Sequence, residues 1–168
     1  MEYAEFHLSQ KNHKEALKHY SKILEHEIND NTIYAIARTI TSIANINASE
    51  KEYSKALALA DSSLKLSKEK KIDILTIKNY GLKGLVYDSL MTFDSAKIYY
   101  QKAADIAYTI EKYDECADYM HKIGQLNINH NKIYEAITVY KVLSDSTETF
   151  KMYDHCNNAF YQLSKCHA

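Results

Sequence analysis

The sequence predicts an all-α fold, a superhelix (solenoid) of antiparallel helix pairs, and three observations support this prediction. The 168 residues include no proline and only three glycines, so the usual signals of β-hairpin turns are missing. Apolar residues recur three and four positions apart along the chain, as amphipathic helices require. One pattern of residues also returns every 40 positions without insertion or deletion. A single helix pair cannot bury its apolar face, whereas stacked pairs can.

The repeat is marked by an alanine on the second helix of each pair and a small residue on the first. A tyrosine follows three of the alanines after four positions, and Ala60 takes this place in the second repeat. Small side chains let two helix backbones approach closely, so glycine is predicted inside these helices despite its cost of about 1 kcal/mol against alanine. The alanines are Ala16, Ala56, Ala96 and Ala136, and the small residues are Ala44, Gly84, Gly124 and Ser164.

The elements follow from this register in chain order. The sequence predicts helices over 1–10, 12–28, 31–48, 51–68, 71–90, 93–110, 112–129, 132–145 and 148–166. These form one domain over 1–168, with repeats at about 1–28, 31–68, 71–110 and 112–147 and a final helix at 148–166. Polar breaks are predicted at Asn29–Asn31 and Ser144–Thr147. A capping box over Ser49–Glu52 is predicted to open the fourth helix.

Composition and charge argue against several classes of function. The 21 basic and 22 acidic residues give a net charge of -1, which argues against a general surface for nucleic acid or anionic lipid. No apolar run approaches the roughly 18 residues that a membrane helix needs. The first five residues do not form a signal peptide. The sequence thus reads as cytoplasmic, with a periplasmic location still open if an export signal was removed.

No catalytic or cofactor constellation is evident, so the sequence predicts a protein that is not an enzyme and takes no cofactor. The eight histidines form no HExxH motif, and surface placement explains them more simply than metal binding. The glycines needed for a dinucleotide or phosphate loop are missing. Three cysteines in a chain of this length imply no disulfide framework.

The repeated residues resemble those of the tetratricopeptide repeat family. That family carries a bulky, an apolar and a small residue on the first helix, an aromatic at the turn, and an alanine followed by an aromatic on the second helix. The repeat here is 40 residues rather than 34, and it lacks the usual closing proline. Such long repeats resemble those of bacterial sensory and regulatory proteins. The third repeat matches best, with Tyr80, Gly84, Tyr87, Phe93, Ala96, Tyr100 and Ala103.

This resemblance implies a non-catalytic scaffold that binds a protein or peptide in a concave groove lined by the first helices. The alternative is the sensory domain of a larger bacterial signalling protein, such as a histidine kinase or a helix-turn-helix regulator. Arg38 is the only arginine, and its planar fork suits a carboxylate, although a local salt bridge would equally explain it. The predicted groove residues are Arg38, Asn45, Lys78, Leu85, His121, Lys122, Gln125, Tyr161 and Lys165.

The end of the sequence adds one expectation. Phe160, Tyr161 and Leu163 would present apolar surface on a final helix with no second helix to cover it, whereas repeat arrays need polar ends. We therefore expect the chain to be a fragment of a longer array, or to self-associate through this helix.

Overall fold

The computed structural model describes residues 2–29, 32–149, 161, 162 and 164. Within these residues the secondary structure is helical, and no strand occurs, which confirms the all-α prediction. Seven of the helices have 17 residues each, and from α2 onward they begin 20 positions apart. Each 40-residue repeat therefore consists of two equal helices and two short turns. The helices are α1 (Glu2–Ser9), α2 (His13–Asn29), α3 (Ile33–Ser49), α4 (Tyr53–Glu69), α5 (Asp73–Ser89), α6 (Phe93–Thr109), α7 (Tyr113–Asn129) and α8 (Ile133–Thr149).

The predicted break at Ser144–Thr147 is wrong, because α8 continues through this segment to Thr149. Serine and threonine are weak helix formers, but helix propensity is readily overridden by packing, and the buried Leu143 anchors this part of α8. The predicted final helix at 148–166 therefore begins inside α8. Of its later residues the structure describes 161, 162 and 164, all of them helical.

Six turns that the structure describes in full, α1–α2 and α3–α4 through α7–α8, close without glycine, each through a left-handed residue in its middle. In the α3–α4 turn, the Glu52 amide donates to the Asn47 carbonyl (2.8 Å) and the Lys51 amide to the Ala48 carbonyl (3.0 Å). This pair of bonds is a Schellman motif, which normally places glycine at the position held here by Lys51. The left-handed residues are Lys11, Lys51, Lys71, Met91, Glu111 and Asn131, with φ between 54° and 63°.

The predicted capping box at Ser49–Glu52 is also wrong. Ser49 is the last residue of α3, and its hydroxyl donates to the Asn45 carbonyl. The N-cap of α4 is Glu52, whose side chain makes no capping hydrogen bond. The Schellman turn ends one helix and starts the next within three residues, so the serine closes α3 instead of opening α4.

The chain forms two compact units, Met1–Leu82 and Lys83–Ala168. In the first, α3 packs on α2 and α4, and α1 packs on α2. Its core includes Ala16 and Tyr20 of α2 against Ile46 of α3. In the second, α7 packs on α6 and α8, and Ala96 and Tyr100 of α6 contact Ile123 and Leu126 of α7. The alanine and tyrosine of the repeat therefore lie at equivalent places between successive pairs.

Candidate binding surface

We call the side chains of α3, α5 and α7 at the predicted groove positions the first-helix face, and we describe it in each unit separately. In the first unit, Arg38 and Asn45 are exposed on α3. Arg38 Nη2 lies 3.3 Å from Oε1 of Glu5 on α1, and both side chains are about half exposed, at 45% and 54%. Such exposed pairs contribute only about 0–1 kcal/mol, so a ligand carboxylate could replace Glu5 at little cost.

Lys78 takes the place of Arg38 in the next repeat and is exposed on α5. In the described part of the chain its ammonium group has no hydrogen-bond or ion-pair partner. Ile74, one turn earlier on α5, is 36% exposed, and Tyr34 at the equivalent position of α3 is 54% exposed. The first unit therefore offers two cations beside two apolar side chains.

Three residues close to these positions on the same helices are buried. Thr41, Gly81 and Leu82 face the interior, with Thr41 only 4% exposed. Helical spacing alone does not explain this, because Thr41 lies three positions after Arg38 and four before Asn45 and so falls toward the same side of α3. Thr41 is buried by its contacts with Ser63 of α4 and Asn79 of α5.

Thr41 belongs to a buried polar network that joins three helices. Its hydroxyl lies 2.8 Å from the Ser63 hydroxyl of α4 and 3.0 Å from Nδ2 of Asn79 on α5. Ser63 also donates to the Ala37 carbonyl (2.9 Å), and Asn79 Nδ2 lies 2.8 Å from the Leu75 carbonyl. The network satisfies buried polar groups that would each be costly without a partner, and it fixes the register of α4 and α5 on α3.

In the second unit, Leu85 and Lys122 are the exposed members of the first-helix face. Leu85 is 46% exposed on α5. Lys122 is exposed on α7, and its Nζ lies 6.0 Å from the centre of the Tyr100 ring, at the outer limit of a cation–π contact. Both side chains are available to a ligand.

His121 and Gln125 are only partly exposed, because both contact a buried tyrosine. Gln125 Nε2 donates to the Tyr140 hydroxyl at 2.9 Å, and His121 Nδ1 lies 3.3 Å from the same oxygen. Tyr140 has no exposed surface. These two residues therefore support the packing of α8 on α7 and present only part of their surface to solvent.

The remaining predicted residues belong to the last segment of the chain. Tyr161 is 57% exposed. Lys165 lies outside the described residues.

Sequence reasoning missed a cluster of two tyrosines and two lysines in the second unit. Tyr87 of α5 stacks on Tyr99 of α6, with ring centres 5.3 Å apart and planes at 5°. Lys83 Nζ and Lys102 Nζ lie 4.6 Å and 5.2 Å from the centre of the Tyr99 ring. Lys83 is only 6% exposed. The signal in the sequence was Lys83 itself, a charged residue at the position that Ile43 and Ile123 hold in the second and fourth repeats.

Burial shifts the ionisation of three groups in this unit. Desolvation raises the pKa of Tyr100, and the charge of Asp88 adds to this shift. Desolvation, followed by the charges of Asp118 and Glu115, likewise raises the pKa of Tyr119. Burial raises the pKa of the Cys116 thiol, with a smaller effect from Asp105. All three groups are therefore protonated at neutral pH.

Neither a metal centre nor a membrane-spanning helix occurs in the described ranges. No group of three or more histidine, cysteine or acidic side chains there is arranged to hold a metal ion. None of the helices in these ranges is both long enough and apolar enough to cross a membrane.

Solved structures share the architecture at low sequence identity. A STAND signal-transduction ATPase with a tetratricopeptide repeat sensor, from Pyrococcus horikoshii, matches with a TM-score of 0.83 and 21% identity over 98% of this chain. Aspartyl phosphate phosphatase F from Bacillus subtilis matches with a TM-score of 0.84 and 16% identity, also over 98%. The Rap conjugation gene regulator of plasmid pLS20, solved with the Phr* peptide, matches with a TM-score of 0.70 and 13% identity over 98% of this chain. The fold is that of the tetratricopeptide-repeat proteins.

The chain spans 26%, 43% and 48% of the lengths of these three solved chains. No protein-family model and no curated protein sequence matches it. The tetratricopeptide-repeat architecture is thus recognisable from the fold and the 40-residue register, whereas the sequence identity to these solved structures is low.

The cluster around Lys83 and Tyr99 has a counterpart at the equivalent positions of the first helix pair, α1 and α2. His7 of α1 stacks on His19 of α2 (ring centres 5.4 Å apart), and Tyr3 stacks on His19 (6.3 Å). The second and fourth repeats carry aliphatic residues and asparagine at these positions. The residues at these three positions thus alternate along the chain: the first and third repeats carry polar and aromatic side chains, and the second and fourth carry two aliphatic side chains and an asparagine. The four sets are Tyr3–His7–His19, Ile43–Asn47–Leu59, Lys83–Tyr87–Tyr99 and Ile123–Asn127–Val139.

Proposed function

We propose that this chain is a non-catalytic scaffold that binds a protein or peptide through its first-helix face. The observation that carries the proposal is a contrast between positions. The alanine positions are the same in every repeat and buried. The exposed first-helix positions change chemistry from Arg38 to Lys78 to Asp118, and from Asn45 to Leu85. A constant core with variable exposed side chains is typical of a repeat scaffold adapted to one partner.

The solved structure with the Phr* peptide supports a peptide ligand, since a protein of the same fold holds one. In this chain, Arg38 and Lys78 favour acceptor groups on the ligand, and the neighbouring Tyr34 and Ile74 favour apolar side chains. We therefore infer a segment that carries both acidic and apolar residues.

A finer proposal is that the scaffold is the sensory or regulatory part of a larger signalling protein. The similar structures include a repeat sensor within a signal-transduction ATPase and a conjugation gene regulator. An open reading frame that continues beyond residue 168 into a kinase or helix-turn-helix domain would support this proposal. A stop codon at that point, with no such domain upstream, would contradict it.

The binding proposal is tested by selecting ligands from a phage-displayed library of random dodecapeptides. Enriched peptides are then titrated against the double variant Arg38→Ala/Lys78→Ala, both positions of which lie in the first unit. The matched control is Lys14→Ala/Lys65→Ala, which removes two exposed cations from second helices of the same unit. We expect at least tenfold weaker binding to the first variant and unchanged binding to the control. Equal binding to both variants, or no enriched peptide, would overturn the proposal.

A further inference from the structure

Glu5 holds in α1 the position that Asn45 and Leu85 hold on the first-helix face. The three residues follow one another at intervals of 40 positions, and each is exposed. In the same way, Arg38 comes one repeat before Lys78. Glu5 is therefore in register with the residues to which a ligand is proposed to bind.

The contact between Glu5 and Arg38 has the geometry of a weak, replaceable ion pair. Arg38 Nη2 donates to Oε1 of Glu5 at 3.3 Å, which is longer than the roughly 2.7–2.9 Å of a strong charge-assisted hydrogen bond. A guanidinium can hold a carboxylate through two parallel bonds, whereas Arg38 reaches Glu5 through Nη2. Both side chains are about half exposed, so water and other carboxylates have access to the pair.

The other cation of the first unit has a neutral residue in place of Glu5. Asn45 precedes Lys78 by 33 positions, just as Glu5 precedes Arg38. Its amide Nδ2 donates to the Thr41 carbonyl of the same helix at 2.9 Å. Among the described residues of this unit, an acid of the chain is therefore paired with Arg38 and none is paired with Lys78.

We propose that Glu5 competes with the ligand for Arg38 and thereby lowers the affinity of the first-helix face for acidic segments. This inference rests on the proposed function. When a ligand carboxylate binds Arg38, it takes the place of Glu5, whose side chain then turns to solvent. Because exposed ion pairs contribute little free energy, the competition weakens ligand binding by a factor of about two to five.

The first test measures access to Arg38 with phenylglyoxal, a reagent for guanidinium groups. Arg38 is the only arginine, so the reaction reports on this site, and the reagent closes a ring on the two terminal nitrogens, one of which contacts Glu5. We expect Glu5→Gln to be labelled about two- to fivefold faster than the native protein, as measured by mass spectrometry. The matched control, Glu2→Gln, removes the other acid in the first turn of α1 and should leave the rate unchanged. Equal rates for the native protein and Glu5→Gln would overturn the proposal, as would an equal acceleration by Glu2→Gln.

The second test measures the affinity for acidic dodecapeptides that the phage-displayed library yields on the native protein. We expect these peptides to bind Glu5→Gln about two- to fivefold more tightly than the native protein, and to bind Glu2→Gln with native affinity. In an Arg38→Ala background, Glu5→Gln should give no gain. A gain that persists without Arg38 would come from the removal of a negative charge alone and would contradict the proposal.

Failure of the proposed function gives a different result from failure of the competition. If no peptide is enriched, or if the enriched peptides bind Arg38→Ala/Lys78→Ala as tightly as the native protein, the proposed function is wrong and this inference falls with it. If the peptides require Arg38 but bind the native protein and Glu5→Gln equally, the binding function stands and the competition by Glu5 is refuted.

Discussion

The backbone of Gly84 lies directly against the ring of Tyr100. A Cβ atom on Gly84 would lie 2.5 Å from Cδ1 and 2.6 Å from Cε1 of that ring, and Gly124 stands in the same relation to Tyr140. The small residue and the tyrosine of a repeat therefore form one packing unit. In the second repeat, Ala44 and Ala60 hold these two places, so a larger first residue accompanies a smaller second one.

We predict that Gly84→Ala destabilises the native protein but stabilises a variant in which Tyr100 is replaced by alanine. In the native background, crowding of the ring should destabilise by about 1–3 kcal/mol and outweigh the gain of about 1 kcal/mol in helix propensity. In a Tyr100→Ala background only the gain remains, so the same substitution should stabilise. Urea unfolding of the four proteins of the double-mutant cycle measures both effects. If Gly84→Ala changed the free energy of unfolding in the same direction in both backgrounds, Gly84 and Tyr100 would not form one packing unit.

Met91 is predicted to be replaceable by glycine with a gain in stability. It has a φ of 55° and is 86% exposed, so its side chain adds strain without much packing. A left-handed conformation costs an ordinary residue about 1–2 kcal/mol. Glycine avoids this cost, but it loses more backbone entropy on folding, and this loss offsets part of the gain. Met91→Gly should therefore raise the free energy of unfolding by about 0.5–1 kcal/mol.

Two matched substitutions control this prediction. Met91→Ala should give no gain, since alanine keeps the Cβ atom. Asn131→Gly should give a smaller gain, since asparagine tolerates this conformation better than most residues. Equal gains from Met91→Gly and Met91→Ala would contradict the explanation.

The network of Thr41, Ser63 and Asn79 predicts an asymmetric response to substitution. Asn79→Ala leaves two buried hydroxyl groups short of a partner and opens a cavity, so we expect a loss of about 2–4 kcal/mol. The triple variant Thr41→Val/Ser63→Ala/Asn79→Leu removes all the polar groups together and should lose much less. Thermal and urea unfolding compare the variants. A triple variant that is less stable than Asn79→Ala would count against this account.

Alkaline pH should weaken the second unit through Tyr100. Burial raises the pKa of its hydroxyl, so the folded state keeps a proton that the unfolded state loses near pH 10. Above about pH 10 the folded state therefore binds more protons, and the free energy of unfolding falls as the pH rises. Tyr100→Phe should lose less stability than the native protein between pH 8 and pH 11. Parallel losses in the two proteins would show that Tyr100 is not responsible.

The sequence was sufficient to predict the helices and the core because both follow the 40-residue register. It was insufficient at the turns, where lysine, methionine and glutamate adopt a conformation that usually signals glycine. Ser144–Thr147 was misassigned for a related reason, since packing on α7 overrides a weak local preference. On the first-helix face, positions such as Arg38 could be placed from the helical period. The burial of Thr41 depended on Ser63 and Asn79, which lie far away in the sequence.

Cys116 offers a test of how the second unit shields its interior. Burial, and to a lesser degree the charge of Asp105, raises the pKa of its thiol, and only the thiolate reacts with disulfide reagents. In a Cys156→Ser/Cys166→Ser background at pH 8, we expect Ellman's reagent to modify the native protein at least tenfold more slowly than the urea-unfolded chain. Asp105→Asn should speed the native reaction a few-fold, because it lowers the pKa of the thiol. An unchanged rate would show that access to the sulfur, rather than its ionisation, limits the reaction.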